Sequence, residues 1–80
     1  MKKITINYFA KLRDERGLSS EVIETEANNS LDLYQILKEK YNLSLSIKSL
    51  KVAINDEFCD WNDELKDNDN IVFIPPVAGG

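Results

Sequence analysis

Histidine is absent from this 80-residue sequence, and cysteine occurs once, as Cys59. The lack of histidine removes the commonest general acid or base of enzymes. A single cysteine excludes an internal disulfide framework, and it excludes a zinc or iron–sulfur site held by cysteines. The sequence also contains no P-loop and no dinucleotide-binding glycine motif. We therefore expect no catalytic side chains of a standard type, no bound cofactor and no metal in this chain.

Positive charge is also scarce. Ten lysines and arginines stand against 14 aspartates and glutamates, so the net charge is −4. Nucleic-acid binding depends on clustered lysine and arginine side chains, and we expect none here. The acidic balance suits a partner with a basic surface, but it equally suits a small protein that only needs to stay soluble.

Long hydrophobic runs are missing too. No apolar stretch approaches the roughly 20 residues that a membrane-spanning helix needs. The basic start, residues 1–3, is followed by alternating apolar and polar residues and not by the core of a signal peptide. We expect a cytoplasmic protein without membrane association, folded as one small domain.

The first segment alternates strictly between apolar and polar residues. Ile4, Ile6 and Tyr8 lie on one face of the predicted strand at residues 2–10, and Phe9 is a large aromatic on the other, mostly polar face. Further strands are predicted at 20–26, 50–54, 57–59 and 71–75, and helices at 10–16 and 31–41.

The main helix, residues 31–41, is expected to cover the sheet with its Leu33, Ile36 and Leu37 side. In the strand at 50–54, Ala53 is expected to face outward. The first and last strands are apolar enough to be central. These elements predict an α+β fold, with one main helix packed across one face of a small mixed sheet of about five strands.

Glycine and proline are few, and most of them stand together at the end of the chain, as Pro75, Pro76, Gly79 and Gly80. The prolines favour an extended exit from the domain. The glycines offer a thin backbone that ends in an unhindered carboxylate. Residues 76–80 could reach about 17 Å when fully extended. We predict a domain at residues 1–75 and a flexible tail at 76–80 that can enter the active site of another protein.

Three stretches carry a resemblance to a known family. They are Tyr-Phe-Ala-Lys-Leu-Arg-Asp at 8–14, Val-Ala-Ile-Asn at 52–55, and the segment 65–80 with its Pro-Pro-Val-Ala-Gly-Gly ending. On these residues the sequence resembles the small-subunit family of molybdopterin synthase, which are sulfur carriers with the ubiquitin-like β-grasp fold. One departure is Asn68, which stands where the family usually has glycine, although asparagine tolerates the same backbone.

The resemblance implies that Gly80 is the reactive residue. A partner that resembles ubiquitin-activating enzymes would use ATP to adenylate its carboxylate, and sulfur transfer would then give a thiocarboxylate. The sulfur would go to a pterin precursor in the large subunit of molybdopterin synthase, with which the chain is expected to form a 2:2 heterotetramer. Gly79 would keep the channel-bound backbone thin.

Partner contacts are expected from the tail and from an exposed apolar patch beside it. The tail residues are Pro75, Pro76, Val77 and Ala78, and the patch residues are Phe9, Val72 and Ile74, with Arg13 near Phe9. An alternative is that Phe9 and Val72 pack under the short first helix.

Other functions stay open at this point. A Gly-Gly end is shared with the thiamine-type sulfur carrier and with ubiquitin-like protein modifiers, and a binding module without tail chemistry is a further alternative. Cys59 could itself carry sulfur, or it could be a small apolar residue in a short strand.

Overall fold

Five strands and two helices make up the part of the chain that the computed structural model describes, residues 1–76. The elements in order are β1 (Lys2–Tyr8), α1 (Ala10–Arg16), β2 (Ser20–Thr25), α2 (Ser30–Tyr41), a 3₁₀ turn (Ile47–Ser49), β3 (Lys51–Ile54), β4 (Glu57–Cys59) and β5 (Asn70–Ile74). The strands form one sheet in the order β2-β1-β5-β3-β4. The pair β1–β5 is parallel and the other pairs are antiparallel. The predicted α+β fold with a mixed sheet is confirmed.

The strand that leads into the tail lies in the middle of the sheet. β5 has β1 on one side and β3 on the other, and Tyr8 pairs with Phe73 near the ends of β1 and β5. Because these two strands are parallel, the chain leaves β5 at the end of the sheet where β1 also ends. The prediction that the first and last strands are central is confirmed.

The core lies between the sheet and α2. It combines the inward residues of the strands with the buried side of the helix, namely Ile4, Ile6, Tyr8, Leu12, Leu33, Tyr34, Leu37, Val52, Leu65, Ile71 and Phe73, among others. Burial of apolar side chains supplies most of the free energy that holds such a small domain together.

The predicted inward side of α2 was wrong in one residue. Leu33 and Leu37 are buried, but Ile36 is 50% exposed, and Tyr34 is buried in its place. Successive residues of a helix are rotated by about 100°, so Ile36 and Tyr34 lie on opposite sides of the Leu33–Leu37 line. The helix is turned toward the aromatic side, where the Tyr34 hydroxyl donates a hydrogen bond to the carbonyl of Leu45.

Ala53 faces outward as predicted, but its side chain is covered. Its side chain does lie on the face opposite the core, because its neighbours Val52 and Ile54 are the inward residues of β3. It is nevertheless only 7% exposed. Ala53 is paired with Phe58 on one side and with Val72 on the other, and a methyl group between two larger side chains is covered by them.

The predicted bounds of α1 are confirmed, whereas α2 begins at Ser30, one residue before its predicted start. Gly17 ends α1 with a positive φ of 82°, which costs glycine little. The side chain of Asn29 caps α2 by accepting a hydrogen bond from the backbone N–H of Asp32. Asn68 has a φ of 70°, so it adopts the backbone for which the resembling family uses glycine.

A cluster of polar side chains links α1 to β1 and β2. Arg16 donates two hydrogen bonds to the carboxylate of Glu21, and the Tyr8 hydroxyl donates a third. The Arg16 guanidinium lies 3.6 Å from the ring centroid of Tyr41. Burial alone would raise the pKa of Glu21, but the hydrogen bonds from Arg16 and Tyr8 outweigh it and hold that pKa below its usual range. The cluster fixes the short helix that follows Phe9.

Candidate docking site at the base of the tail

The base of the tail is where β5 leaves the sheet. β5 ends at Ile74, Pro75 is still buried, and Pro76 is exposed. The chain therefore emerges from the domain between the two prolines. The predicted contact residues Val77 and Ala78 and the predicted reactive pair, residues 79–80, lie outside the described residues.

Three aromatic rings anchor this base from the core side. Phe73 is fully buried, and its ring stacks on Trp61 at a centroid distance of 5.9 Å. It meets Tyr34 edge-to-face at 5.1 Å, and Tyr34 meets Trp61 at 6.0 Å. Such pairs add to the stabilisation from burial alone. These contacts fix the position of β5 as far as Phe73.

A groove lies beside the emerging chain, and we call it the tail-exit groove. It has a volume of about 400 Å³ and is lined by Lys48, Ser49, Leu50, Lys51, Phe58, Ile74, Pro75 and Pro76. The groove joins the base of the tail to the open face of the sheet. Two predicted partner residues of the tail, Pro75 and Pro76, and one of the patch, Ile74, are therefore brought together in one concave surface.

Phe58 is the main residue of this surface that the sequence did not identify. It is 71% exposed, and it pairs across β3 with Ala53, which in turn pairs with Val72. The three side chains form an apolar rung on the face of the sheet that α2 does not cover. The turn residues at 55–56 predict that a strand follows them. The position of Phe58 near the base of the tail, however, depends on how distant segments pair in the sheet.

The predicted patch residues lie on the same open face. Val72 and Ile74 are half-buried, two residues apart in β5. Phe9 is 49% exposed and immediately precedes α1. Tyr8 pairs with Phe73 in the parallel register of β1 and β5, so Phe9 comes next to Tyr8 just as Ile74 comes next to Phe73. The alternative, in which Phe9 is packed under α1, does not fit this exposure.

Arg13 lies one helical turn from Phe9. Its backbone N–H donates to the carbonyl of Phe9, and its side chain is exposed. Its place at the tail end of the sheet is compatible with a contact to a partner.

The charge of the tail-exit groove is opposite to that of the whole chain. Lys48 and Lys51 line it, and no aspartate or glutamate of residues 1–76 does so. The ammonium group of Lys51 lies 5.9 Å from the centroid of the Phe58 ring. An apolar groove with two ammonium groups at its border suits a partner surface that is apolar at its centre and acidic at its edge.

Cys59 lies on the other face of the sheet, away from this groove. It pairs with Val52, a core residue, and its thiol lies 3.7 Å from the Val52 carbonyl oxygen. Burial raises the pKa of the Cys59 thiol, and the nearby carboxylates of Asp63 and Asp60 raise it further. Since the thiolate is the nucleophile, this environment makes Cys59 a poor sulfur carrier.

Replacing Cys59 by serine should therefore leave sulfur transfer intact. Cys59→Ser keeps the size of the side chain and removes the only sulfur atom that could form a persulfide on a cysteine of this chain. The measurement is single-turnover sulfur transfer from the loaded protein, compared with the unsubstituted chain. Complete loss of transfer in a folded variant would make Cys59 the carrier.

Two other kinds of functional feature are not found among the described residues. No group of three or more histidine, cysteine, aspartate or glutamate side chains within residues 1–76 is arranged to hold a metal ion. No helix in that range is long and apolar enough to cross a membrane.

Comparisons with known proteins agree with this geometry. Residues 6–80 match the ThiS family. A molybdopterin synthase sulfur carrier subunit from Chlamydomonas reinhardtii is 33% identical, over 98% of this chain and 99% of the relative. A solved structure from Pyrococcus furiosus, described as molybdopterin converting factor subunit 1, is 30% identical, covers 96% of this chain and 100% of its own, and superposes with a TM-score of 0.77.

Two further solved structures bear on assembly and on fold. The complex of subunits 1 and 2 of the molybdopterin-converting factor from Helicobacter pylori contains a chain that is 32% identical, with 98% of this chain and 99% of that chain covered and a TM-score of 0.68. A ubiquitin from Caldiarchaeum subterraneum shares only 16% identity over 99% of this chain and 98% of its own, with a TM-score of 0.63, and so shows the fold alone. The ubiquitin-like β-grasp fold expected from the sequence is confirmed.

Proposed function

Because the chain belongs to the ThiS family, whose match spans residues 6–80, we propose that it is the sulfur carrier subunit of a molybdopterin synthase. The observation that supports the proposal is the placement of β5, the strand that leads into the tail. A central, buried strand runs directly into Pro75 and Pro76 beside an apolar groove. A rigid base of this kind can present the last residues to another protein while the domain itself stays folded.

In this proposal the reaction takes place at the carboxylate of Gly80. One carboxylate oxygen attacks the α-phosphate of ATP on a partner enzyme, and pyrophosphate leaves. Hydrosulfide from the sulfur source then attacks the acyl carbon, AMP leaves, and loss of a proton yields the thiocarboxylate. The sulfur next attacks a carbon of the pterin precursor and displaces an oxygen substituent from it, and water then cleaves the acyl–sulfur bond and regenerates the carboxylate of Gly80.

Glycine suits this position for steric reasons. A Cβ at Gly80 would shield the carbonyl carbon from attack, and a Cβ at Gly79 would widen the strip of backbone that enters the partner. The two prolines lower the entropy lost when the tail is held in a channel, because their φ angles are already restricted. The acid, base and nucleophilic groups come from the partners, which fits a chain without histidine.

Two partners follow from this function. One is an adenylating enzyme that resembles ubiquitin-activating enzymes, and the other is the large subunit of the synthase, in a 2:2 assembly. We assign docking with both to the tail-exit groove and to the adjoining part of the open sheet face, on β3, β4 and β5. Phe58 and Ile74 supply apolar contact area, while Lys48 and Lys51 meet acidic groups at the edge.

Phe58→Ala is predicted to weaken binding to the large subunit at least about tenfold, because exposed aromatic side chains at the centre of an interface contribute most of its energy. The stability of the free chain should change by less than about 1 kcal/mol, since Phe58 is largely exposed. Isothermal titration calorimetry measures the first effect and urea unfolding the second.

Val22→Ala is the matched control for this measurement. Val22 is also exposed and also lies on the open face of the sheet, but in β2, away from the tail-exit groove. Its affinity should equal that of the unsubstituted chain. Equal weakening by both substitutions would contradict docking at the groove.

The proposed function is tested by incubating the chain with its adenylating enzyme, ATP and a sulfur source, followed by mass spectrometry. A mass gain equal to the exchange of one oxygen atom for sulfur, located at Gly80, is expected. Adducts that join Gly80 to lysine side chains of other proteins would instead identify a protein modifier. The absence of either product with an active enzyme would leave a binding module without tail chemistry.

A further inference from the structure

The strand β4 forms one free edge of the sheet. It comes last in the order β2-β1-β5-β3-β4, and within residues 1–76 no strand lies beyond it. On its inner side β4 pairs antiparallel with β3, so that Phe58 lies opposite Ala53. An edge strand carries backbone groups that its own sheet does not use, and these can pair with another chain.

The backbone N–H and C=O of Phe58 are the groups that face this free side. Along an inner strand of an antiparallel sheet, successive residues direct their hydrogen bonds to one neighbouring strand and then to the other. Asn55 donates its backbone N–H to the carbonyl of Asn70, so Ala53, two residues earlier, also directs its backbone groups to β5. Ala53 therefore shares no backbone hydrogen bond with Phe58, whose N–H and C=O point outward.

The turn between β3 and β4 leads to the same assignment. Its two residues, Asn55 and Asp56, have positive φ angles of 52° and 70°, as in a type I′ hairpin turn. In such a hairpin the flanking residues, Ile54 and Glu57, exchange backbone hydrogen bonds, and the next pair of residues does not. Phe58 belongs to that next pair.

The side chain of Phe58 connects this edge to the base of the tail. It is 71% exposed, and it lines the tail-exit groove together with Ile74 and Pro75. A strand added at β4 would place one of its side chains beside the Phe58 ring, because paired residues of neighbouring strands project to the same face. That side chain would extend the apolar row of Val72, Ala53 and Phe58 by one residue.

The other edge strand, β2, is not connected to the tail in this way. Tyr8 donates its backbone N–H to the carbonyl of Ser19, so by the same alternation Val22 directs its N–H outward. Val22 is also 60% exposed. However, β1, β5 and β3 separate β2 from β4. Of these two edges, β4 is the one that combines free backbone groups with the tail-exit groove.

The charges at β4 indicate what kind of segment can pair there. Asp56, Glu57 and Asp60 are exposed, and residues 56–60 include no lysine or arginine. Two copies of this chain paired through β4 would bring these carboxylates together, and like charges on neighbouring strands repel each other. The edge therefore favours a segment with basic residues over a second copy of this chain.

Given the proposed sulfur-carrier function, we propose that the large subunit adds an extended segment to the free edge of β4. The segment carries an apolar residue opposite Phe58, with lysine or arginine next to it. Its backbone accepts a hydrogen bond from the Phe58 N–H and donates one to the Phe58 carbonyl. A strand held at this edge fixes the orientation of the domain, and so the direction in which the tail leaves β5.

The test is amide hydrogen exchange, measured by NMR on the isotope-labelled full chain, both free and in a saturated complex with the large subunit. In the complex, exchange at Phe58 should slow at least about tenfold, while exchange at Val22 stays unchanged. Unchanged exchange at Phe58 would overturn the proposal. So would a free chain that sediments as a dimer with Phe58 already protected, because the edge would then belong to a second copy.

Proline variants separate the backbone hydrogen bond from the contact of the ring. Phe58→Pro and Phe58→Ala both remove the ring, but only proline removes the N–H, and an edge strand tolerates proline where the missing N–H faces outward. Phe58→Pro should bind the large subunit about tenfold more weakly than Phe58→Ala, because an acceptor of the partner is left unpaired. As the control, Val22→Pro should bind like Val22→Ala. Equal affinities of the two Phe58 variants, with both folded by circular dichroism, would overturn the proposal.

Charge variants test the basic character of the segment. Glu57→Gln combined with Asp60→Asn should weaken binding about fivefold, as for two exposed ion pairs. The control, Glu26→Gln combined with Glu39→Gln, removes the same charge from exposed residues outside β4 and should bind like the unsubstituted chain. Equal weakening by both pairs would contradict a basic segment at this edge.

The outcomes also distinguish this docking mode from the proposed function. Sulfur loading at Gly80 together with an unprotected Phe58 amide would overturn the added strand alone. Absence of loading with an active adenylating enzyme would instead contradict the sulfur-carrier function.

Discussion

Deleting Gly80 is expected to abolish formation of the thiocarboxylate while the domain stays folded. The shortened chain still ends in a carboxylate, but its reactive carbon lies about 3.5 Å short of the position that the full tail reaches. A misplacement of about 1 Å can cost a reaction 100-fold, so we expect loading to fall by at least about that factor. Mass spectrometry of the chain after incubation with the adenylating enzyme measures it.

The matched control for this deletion is Ala78→Gly. It keeps the length of the tail and removes only one methyl group from a predicted partner contact, so loading should fall by no more than about fourfold. Thermal unfolding of both variants should coincide with that of the unsubstituted chain, because the core is built from residues that precede the tail. A collapse of stability on deletion of Gly80 would show that the tail is structural, and unchanged loading would move the reactive group elsewhere.

Phe73→Ala is expected to cost about 3–5 kcal/mol in the free energy of unfolding, the range for truncating a fully buried phenylalanine. The substitution removes the ring that contacts both Trp61 and Tyr34 and leaves a cavity under the central strand. Small domains have total stabilities of about 5–15 kcal/mol, so this loss is a large share of the total and should clearly lower the midpoint of unfolding. Urea unfolding followed by circular dichroism measures the loss.

Phe58→Ala makes the same chemical change on the other face of the sheet and serves as the comparison. Phe58 is largely exposed, so its loss should scarcely alter the unfolding midpoint. We therefore expect Phe73 to stabilise the base of the tail and Phe58 to contribute to docking with a partner. Equal stability losses in both variants would contradict this division.

The sequence by itself determined the order and type of the elements. Alternation in residues 2–8, helical spacing in 31–41, the turn residue Asn68 and the cap Asn29 are all local features, and each predicts its element without knowledge of the rest of the chain. The Pro-Pro-Val-Ala-Gly-Gly ending predicts a reactive terminus on the same kind of local information, since its resemblance to the family rests on adjacent residues only.

Only the tertiary structure decided which side chains cover one another. Ile36 is exposed because the helix is turned toward Tyr34, and Ala53 is covered because Phe58 and Val72 lie on either side of it. These outcomes depend on strand register and on helix rotation, which are set by contacts between segments far apart in the chain. The proposed docking surface at the base of the tail is formed by β3, β4 and β5 lying side by side, so it could not be predicted from the sequence alone.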